Sequence, residues 1–230
     1  MRMMVVYEKG ADLRYIGHLD LLRTLQRALR RSGLPIQYSR GFNPHVNLGF
    51  AAPLSVGVVG MREMMEVPLE ASVTSQEFID AMNAVLPRRL QIKACYELPD
   101  KFPTLMSLVA GHRYTIEFSK GDDGDRVFAA APAFMELKEY ITVRKTKSGE
   151  KPTDIRPFIK SAAYEQVEDE YKIHLETIST AAGSLKPSLW FDCLCEFAGV
   201  KPVLCTIYRD AILSLDANGE LVPMEELSNA

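Results

Sequence analysis

The chain has 230 residues, of which 47% are hydrophobic and 25% are charged, with a formal net charge of −3 at pH 7. This composition excludes fibrous and low-complexity proteins, and the length suits one extended domain or two compact modules. No apolar run approaches the ~18 residues of a membrane helix, and a charge comes too early for a secretory signal. The four cysteines lack the spacing of a disulfide framework. We therefore expect a cytoplasmic protein that does not associate with a membrane.

The near-neutral total hides two basic segments and an acidic end. Residues 14–47 contain six arginines and two histidines but a single acid, Asp20. Residues 138–160 contain seven basic residues and three acids, and the four charged residues after Ser214 are all acidic. Basic segments are typical of proteins that bind a polyanion, although many are only solvated faces.

The first predicted element is a strand over residues 3–7, which are all apolar. A helix with two unlike faces follows, because a turn of about 100° per residue places leucines on one side and arginines on the other. Gly33 is expected to end this helix, and Pro35 prevents it from resuming. The two faces consist of Leu21, Leu22, Leu25 and Leu29, and of Arg23, Arg27, Arg30 and Arg31.

The rest of the first half completes a repeating order of strands and helices. Residues 46–50 and 62–69 are predicted strands on either side of a Gly/Pro loop. Thr74 and Glu77 have the spacing of a capping box that opens a second helix, and Pro87 ends it. Residues 90–96 supply a last strand. This is the βαββαβ order of a ferredoxin-like module.

The same order can be traced a second time, although the two halves share no visible sequence identity. The predicted strands are 113–119, 140–145, 171–178 and 203–208, and the predicted helices are 127–137 and 188–198. The fold class is therefore α+β, with two tandem ferredoxin-like halves and antiparallel sheets. We assign residues 1–97 to the first half, 98–112 to a connector, 113–215 to the second half and 216–230 to an acidic tail.

The usual motifs of metal, cofactor and hydrolytic chemistry are missing. Cys193 and Cys195 would point about 200° apart on a helix, and Cys95 and Cys205 stand alone in apolar strands. Neither a phosphate-binding loop, nor a nucleophile elbow, nor the H-E-x-x-H metal motif occurs. We expect no resident metal and no cofactor.

The first candidate site is the stretch from Arg14 to Asp20 with the arginine-rich helix behind it. His18 would act there as a general base or bind a phosphate at the helix start, or else serve as a cap or a satisfied histidine. Asp20 is explained by the helix dipole and a local pairing with Arg23, and a catalytic role is the less expected alternative.

The second candidate site is the stretch from Tyr38 to Asn47. Arg40, Phe42, Asn43 and His45 on a loop shaped by Gly and Pro can stack on bases and bond to base edges. The alternative is an ordinary hairpin loop in which Phe42 packs inward.

The third candidate site is the basic segment 144–160. Arg144, Lys145, Lys147 and Arg156 would follow a phosphate backbone, and Asp154 would pair with Arg156 to brace the loop. The alternative is a solvated hairpin.

Four stretches carry a resemblance to a known family: residues 13–20 (LRYIGHLD), 38–45 (YSRGFNPH), 145–149 (KTKSG) and 154–157 (DIRP). With residues 183–187 (GSLKP) they resemble the radical-SAM-linked protein family over about residues 2–212. That family is a domain of unknown function found beside a radical SAM protein or fused to one. The resemblance implies a radical SAM partner that carries the radical chemistry, in a setting related to RNA or the ribosome.

The expected function is a non-catalytic accessory protein that binds tRNA or rRNA, or presents substrate to the radical SAM partner. One alternative is an RNA-acting enzyme. His18 or His45 would then be the base of an endonuclease, or Asp20 or Asp154 the nucleophile of a pseudouridine-synthase-like enzyme. A second alternative is a purely protein-binding subunit of the radical SAM enzyme.

Overall fold

The computed structural model describes residues 1–146, 149–180 and 183–229. Two compact units divide the chain, the first formed by residues 1–110 and 209–230 and the second by residues 111–208. The architecture is mixed α+β, and the strand pairs are mostly antiparallel. The strands are β1 Arg2–Lys9, β2 Gly49–Phe50, β3 Val58–Pro68, β4 Leu90–Leu98, β5 Gly111–Ser119, β6 Ile141–Thr146, β7 Gly149–Asp154, β8 Ile159–Val167, β9 Glu170–Ile178, β10 Cys205–Leu215 and β11 Leu221–Pro223. The α-helices are α1 His18–Arg31, α2 Ser75–Asn83, α3 Leu105–Leu108, α4 Asp122–Glu136 and α5 Pro187–Phe197.

The sheet of the first unit has its central strand, β1, between β4 and β3, and β1 runs antiparallel to both. The short strand β2 pairs with β3, and β11 pairs with β10. Successive side chains of a strand point to opposite faces. Val5 of β1 accordingly packs with the buried leucines of α1, whereas Val6 packs with Leu105 and Met224. Both faces of β1 are therefore covered.

Local signals in the first half predict its helices well. Gly33 follows the end of α1 with a φ of 74°, as expected for a residue that ends a helix in the left-handed region. The predicted capping box is present, since the Thr74 hydroxyl accepts a bond from the Glu77 N–H and the Glu77 carboxylate accepts one from the Thr74 N–H. Both signals depend only on residues close in sequence.

The segment that sequence analysis assigned to an acidic tail folds into the first unit. After β10 the chain forms β11 and a 3₁₀ turn over Met224–Asn229. The Met224 side chain is fully buried, and the Glu225 carboxylate accepts hydrogen bonds from the Arg62 guanidinium. Apolar burial and an ion pair thus fix a segment whose charges alone suggested a solvated end.

The second unit has the strand order β10-β5-β9-β8, and β9 runs antiparallel to both β5 and β8. Aromatic rings fill its interior: the ring centroids of Phe118 and Phe191 lie 5.1 Å apart, and those of Phe134 and Trp190 lie 5.9 Å apart. The helix predicted over 127–137 begins five residues earlier than expected and contains Pro132.

One strand of the second unit differs from the prediction. The segment 140–145 forms not a strand of this sheet but half of a separate hairpin, β6-β7. The strand beside β9 is β8, which sequence analysis did not identify. Its middle residues, Ser161, Ala162 and Ala163, are small and mostly exposed, so β8 lacks the alternation of large apolar residues that marks a half-buried strand.

Candidate nucleic-acid interface

The loop before α1 is held from below by a buried lysine. The Lys9 ammonium donates to the Ile16 carbonyl at 2.9 Å and to the Arg14 carbonyl at 3.3 Å, and the Gly57 N–H donates to the Arg14 carbonyl at 2.8 Å. Burial lowers the pKa of Lys9. The loop is thereby fixed with its side chains outward, and the Arg14 guanidinium lies 4.7 Å from the ring centroid of the exposed Tyr15.

His18 is the first residue of α1 and is exposed. Its ring centroid lies 4.9 Å from that of Phe50. The N-cap is Gly17, without a side-chain bond, so the explanation of His18 as the helix cap is wrong. Asp20 pairs with Arg23 at 3.2 Å on the exposed side of the helix, as the dipole and pairing explanation expects.

The arginines of α1 differ in what they contact. Arg23, Arg27 and Arg30 are exposed side chains opposite the buried leucines. The Arg31 guanidinium donates to the Val85 carbonyl at 3.0 Å and so ties α1 to the segment after α2. Three arginines of this helix therefore present their charge to solvent.

Residues 37–47 form a hairpin with a defined neck. The Ser39 hydroxyl lies 2.8 Å from Nδ1 of His45 and accepts from the His45 N–H at 3.0 Å, and the Ser39 N–H donates to the His45 carbonyl at 2.8 Å. Beyond this neck the tip carries Arg40 and Asn43, both exposed, and Phe42, which is fully exposed. The explanation in which Phe42 packs inward is wrong.

The hairpin is fastened to α1 by one side chain. Gln26 Nε2 donates to the Val46 carbonyl at 3.2 Å. Residues three and four positions from Gln26 are its neighbours on the helix surface, and these include Arg23 and Arg30. The exposed arginines and the hairpin with Phe42 at its tip thus belong to one surface, which we call the α1–hairpin surface: Arg23, Arg27, Arg30 and residues 37–47.

The third predicted site contributes less than its sequence indicated. The Arg156 guanidinium donates to the carbonyls of Met135, Leu137 and Ile159 at 2.9–3.2 Å, which gives it a structural role. Asp154 does not form an ion pair with Arg156. Its Oδ1 instead accepts from the backbone N–H groups of Arg156 and Tyr140, both at 3.0 Å.

Of the other basic residues predicted for that site, Arg144 has a described side chain. The Arg144 guanidinium donates to the Ser184 carbonyl at 2.7 Å and lies 6.0 Å from the Phe158 ring centroid. The side chain of Lys145 and the whole of Lys147 lie outside the described residues.

Three of the four candidate catalytic residues lie in the first unit and one lies in the second. His18 and Asp20 lie in the first turn of α1, His45 lies in the hairpin neck, and Asp154 belongs to the second unit. The described side chains include no group of three or more His, Cys, Asp or Glu that could hold a metal ion. Burial raises the pKa of the Cys95 thiol to about 12 and that of Cys205 to about 11, so neither is an activated nucleophile.

Sequence analysis missed three residues with supporting roles. Lys9 holds the loop before α1, and Gln26 and Ser39 hold the hairpin of the α1–hairpin surface. Each acts through a contact with a backbone carbonyl or with a side chain across a turn. A buried lysine next to Gly10 has no local signal. The pairing of Ser39 with His45 was recoverable only from the assumption that 37–47 is a hairpin.

These observations define an α+β protein of two compact units with mostly antiparallel sheets. Among the described residues, no helix combines the length and the apolar character needed to span a bilayer. Its backbone is similar to one chain in the crystal structure of a Cbf5-Nop10-Gar1 complex, with a TM-score of 0.52 and 11% sequence identity. The similarity covers 90% of this chain and 47% of that chain, so this chain spans about half of that relative.

Residues 2–187 match the family described as uncharacterized protein conserved in bacteria (DUF2344), and the chain belongs to this family. No curated protein matches the sequence.

Proposed function

We propose that this protein is an RNA-binding accessory protein and that RNA contacts the α1–hairpin surface. The observation that carries the proposal is the combination on one surface of three exposed arginines of α1 and a fully exposed Phe42 on a braced hairpin. An exposed phenylalanine costs solvation unless it has a partner, and a hydrogen-bonded neck restricts where it points. Nucleobases offer the flat apolar surface that such a ring stacks on.

The roles within the surface follow from side-chain chemistry. Arg23, Arg27 and Arg30 would neutralise phosphates, which gives affinity but little sequence preference. Phe42 would stack on an unpaired base, and Asn43 and His45 would bond to base edges. The His45 Nδ1 already contacts Ser39, which leaves its Nε2 for a ligand.

The strand orders support a common plan for the two units. Orders β4-β1-β3-β2 and β10-β5-β9-β8 both correspond to the 4-1-3-2 order of a ferredoxin-like module, with β6-β7 as an insertion in the second. We therefore propose tandem ferredoxin-like units. The likeness to the Cbf5-Nop10-Gar1 chain bears on the fold alone.

The partner part of the proposal rests on the resemblance of residues 13–20 and 38–45 to the radical-SAM-linked family. The radical SAM cluster would belong to the partner, because the cysteines of this chain lack the spacing of a cluster motif and burial raises their thiol pKa values. The alternatives remain a protein-binding subunit and an RNA-acting enzyme.

The first experiment measures RNA affinity against salt concentration for the full chain and for R23A/R27A. Each lost phosphate contact lowers the slope of log K against log salt by about 0.7–0.9, so the double variant is expected to lose about 1.4–1.8. The matched control R88A/R89A removes the same charge from exposed residues before β4. An unchanged slope in R23A/R27A, or an equal loss in the control, would exclude the α1 arginines from the interface.

A second pair of variants tests the hairpin tip. Phe42→Ala is expected to weaken binding of single-stranded RNA by about 5- to 100-fold, the range for loss of one stacked base, whereas Phe42→Trp retains binding. Both variants should fold normally, because the ring is fully exposed. Equal affinities for the two variants would contradict base stacking.

Crosslinking of the native tagged protein, with RNA and proteins identified from one sample, separates the three functions. A defined tRNA or rRNA region supports the proposal. Recovery of a radical SAM protein with no RNA above background favours the protein-binding subunit, and cleaved or modified RNA favours the enzyme.

A further inference from the structure

Strand β6 of the second unit has an open hydrogen-bonding edge. It pairs with β7 in the register Ile141↔Asp154 and Val143↔Pro152, and the Ile155 N–H donates to the Tyr140 carbonyl. Antiparallel pairs alternate between bonded and non-bonded positions, so Ile141 and Val143 direct their N–H and C=O groups away from β7. Pro152, which has no N–H, fits this assignment. In the described part of the chain, the two-stranded sheet contains only β6 and β7.

The two sides of β6 face different surroundings. Tyr140 and Arg144 point toward α5: the Tyr140 hydroxyl lies 3.2 Å from Oε2 of Glu196, and the Arg144 guanidinium bonds to Ser184 just before the helix. Ile141 and Val143, at alternate positions, point away and are 60% and 54% exposed. The strand is thus anchored by one side and leaves an apolar side in solvent.

A cavity of about 530 Å³ lies between β6 and α5. Its charged lining consists of two carboxylates, Asp192 and Glu196, and one ammonium group, Lys201, so the lining keeps a net negative charge. The other lining residues are Thr142, Leu189, Cys193, Val200 and Pro202. Asp192 forms no ion pair with a described residue, and partial burial raises the pKa of its carboxyl group. A cation brought into this cavity would remove the cost of holding that carboxylate near apolar surface.

The charges that usually protect an exposed edge occur only in the second half of β6, at Arg144 and Lys145. Natural sheets blunt exposed edges with Lys, Pro or a bulge. The partner strand β7 carries Lys151 and Pro152, but the open stretch 141–143 is Ile-Thr-Val, with neither charge nor proline.

We propose that β6 binds an extended segment of a partner protein as an added strand, with a Lys or Arg side chain of that segment beside Asp192 in the cavity. Backbone groups of Ile141 and Val143 supply the main-chain bonds, and alternate side chains of the added strand meet the cavity or the apolar side. The occupant is therefore a β-branched peptide with a basic residue. This surface belongs to the second unit and does not depend on the RNA-binding proposal.

The test selects binders from a displayed library of random ten-residue peptides on the full-length protein. Each selected peptide is then measured on Val143→Pro and Val143→Thr. Proline removes the outward N–H but no bond to β7, and threonine keeps the N–H and the size of the side chain. We expect peptides with alternating β-branched residues and one Lys or Arg, about tenfold or more weaker on V143P and nearly unchanged on V143T.

A second comparison tests the cation. Asp192→Asn is expected to weaken the selected peptides several-fold at low salt, and Glu70→Gln, an exposed carboxylate of the first unit, leaves them unchanged. The proposal is overturned if no peptide is enriched, if V143P binds as tightly as V143T, or if the enriched peptides lack a basic residue. Sedimentation that shows a dimer lost in V143P would also overturn it, because the occupant of the edge would then be a second copy.

Discussion

Replacing Arg209 by methionine is expected to destabilise the protein by about 3–5 kcal/mol, because the Glu63 carboxylate would stay buried without its cation. Glu63 is 0% exposed and Arg209 is 2% exposed. Arg209 Nε donates to Glu63 Oε1 at 2.7 Å, and Nη2 donates to Oε2 of the same carboxylate. The guanidinium also donates to the carbonyls of Pro53 at 3.1 Å and Ala52 at 3.3 Å.

The magnitude follows from what each group loses. The carboxylate loses a bidentate partner in a site with little access to water, which accounts for most of the cost. The two carbonyls lose their donors, at about 1 kcal/mol each. In the double variant E63M/R209M the penalty of the unpaired carboxylate disappears, and the opposite effects of Glu63 and Arg209 on the buried Lys9 ammonium are lost together, so mainly the carbonyl cost remains. The double variant is therefore expected to lie within about 2 kcal/mol of the wild type and to be more stable than R209M alone.

Urea unfolding followed by circular dichroism gives the three free energies. Trp190, the single tryptophan, is fully buried in the second unit, so its emission reports that unit in the same samples. A loss below about 1 kcal/mol in R209M would refute the reasoning, since it would mean that the buried Glu63 carboxylate does not depend on its bidentate partner. A double variant no more stable than R209M would show that the two side chains are not coupled.

Two pH-dependent predictions follow from the shifted pKa values. Burial lowers the pKa of Lys9 from its ordinary 10.5, so the unfolded chain holds this proton more tightly. The stability of the wild type relative to Lys9→Met should therefore rise as the pH increases through the range just below 10.5, and a flat difference in urea unfolding would contradict burial of the charged form. Hydrogen bonds from Thr74 lower the pKa of Glu77 below 4.5, so the stability advantage of the wild type over Glu77→Gln should shrink as the pH falls below that value. Replacing Thr74 by alanine should destabilise the protein by about 1 kcal/mol at neutral pH, as measured by thermal unfolding. A difference between wild type and E77Q that is constant down to about pH 3 would exclude the capping carboxylate as its source.

Elements with strong local signals were predictable, and those fixed by distant contacts were not. The apolar stripe of α1 and the Thr74–Glu77 box depend on residues within one or two helical turns, so sequence alone identifies them. The strand β8 lies beside β9 through backbone pairing, and its small side chains give no period to detect. The Glu63–Arg209 pair joins residues 146 positions apart, which no local pattern can indicate.

The candidate site shows the same limit in another form. A basic residue in the sequence carries a charge, but the sequence does not tell whether its donors are already used. Arg156 and Arg144 bind backbone carbonyls of their own unit, whereas Arg27 and Arg30 remain exposed. Exposure of Phe42 likewise depends on the Ser39–His45 neck, which forms only when the hairpin closes.

The division of the first unit into residues 1–110 and 209–230 has a consequence for the order in which the chain folds on the ribosome. All of the second unit is synthesised before Arg209 and Met224 are added to the chain. At ordinary rates of translation, the first 110 residues then wait on the order of ten seconds with Glu63 lacking its arginine and the Met4–Val6 side of β1 lacking the cover of Ile212 and Met224. The nascent chain in that interval exposes part of an apolar surface and an acid without its bidentate partner, and it is the stage at which a chaperone would be expected to engage.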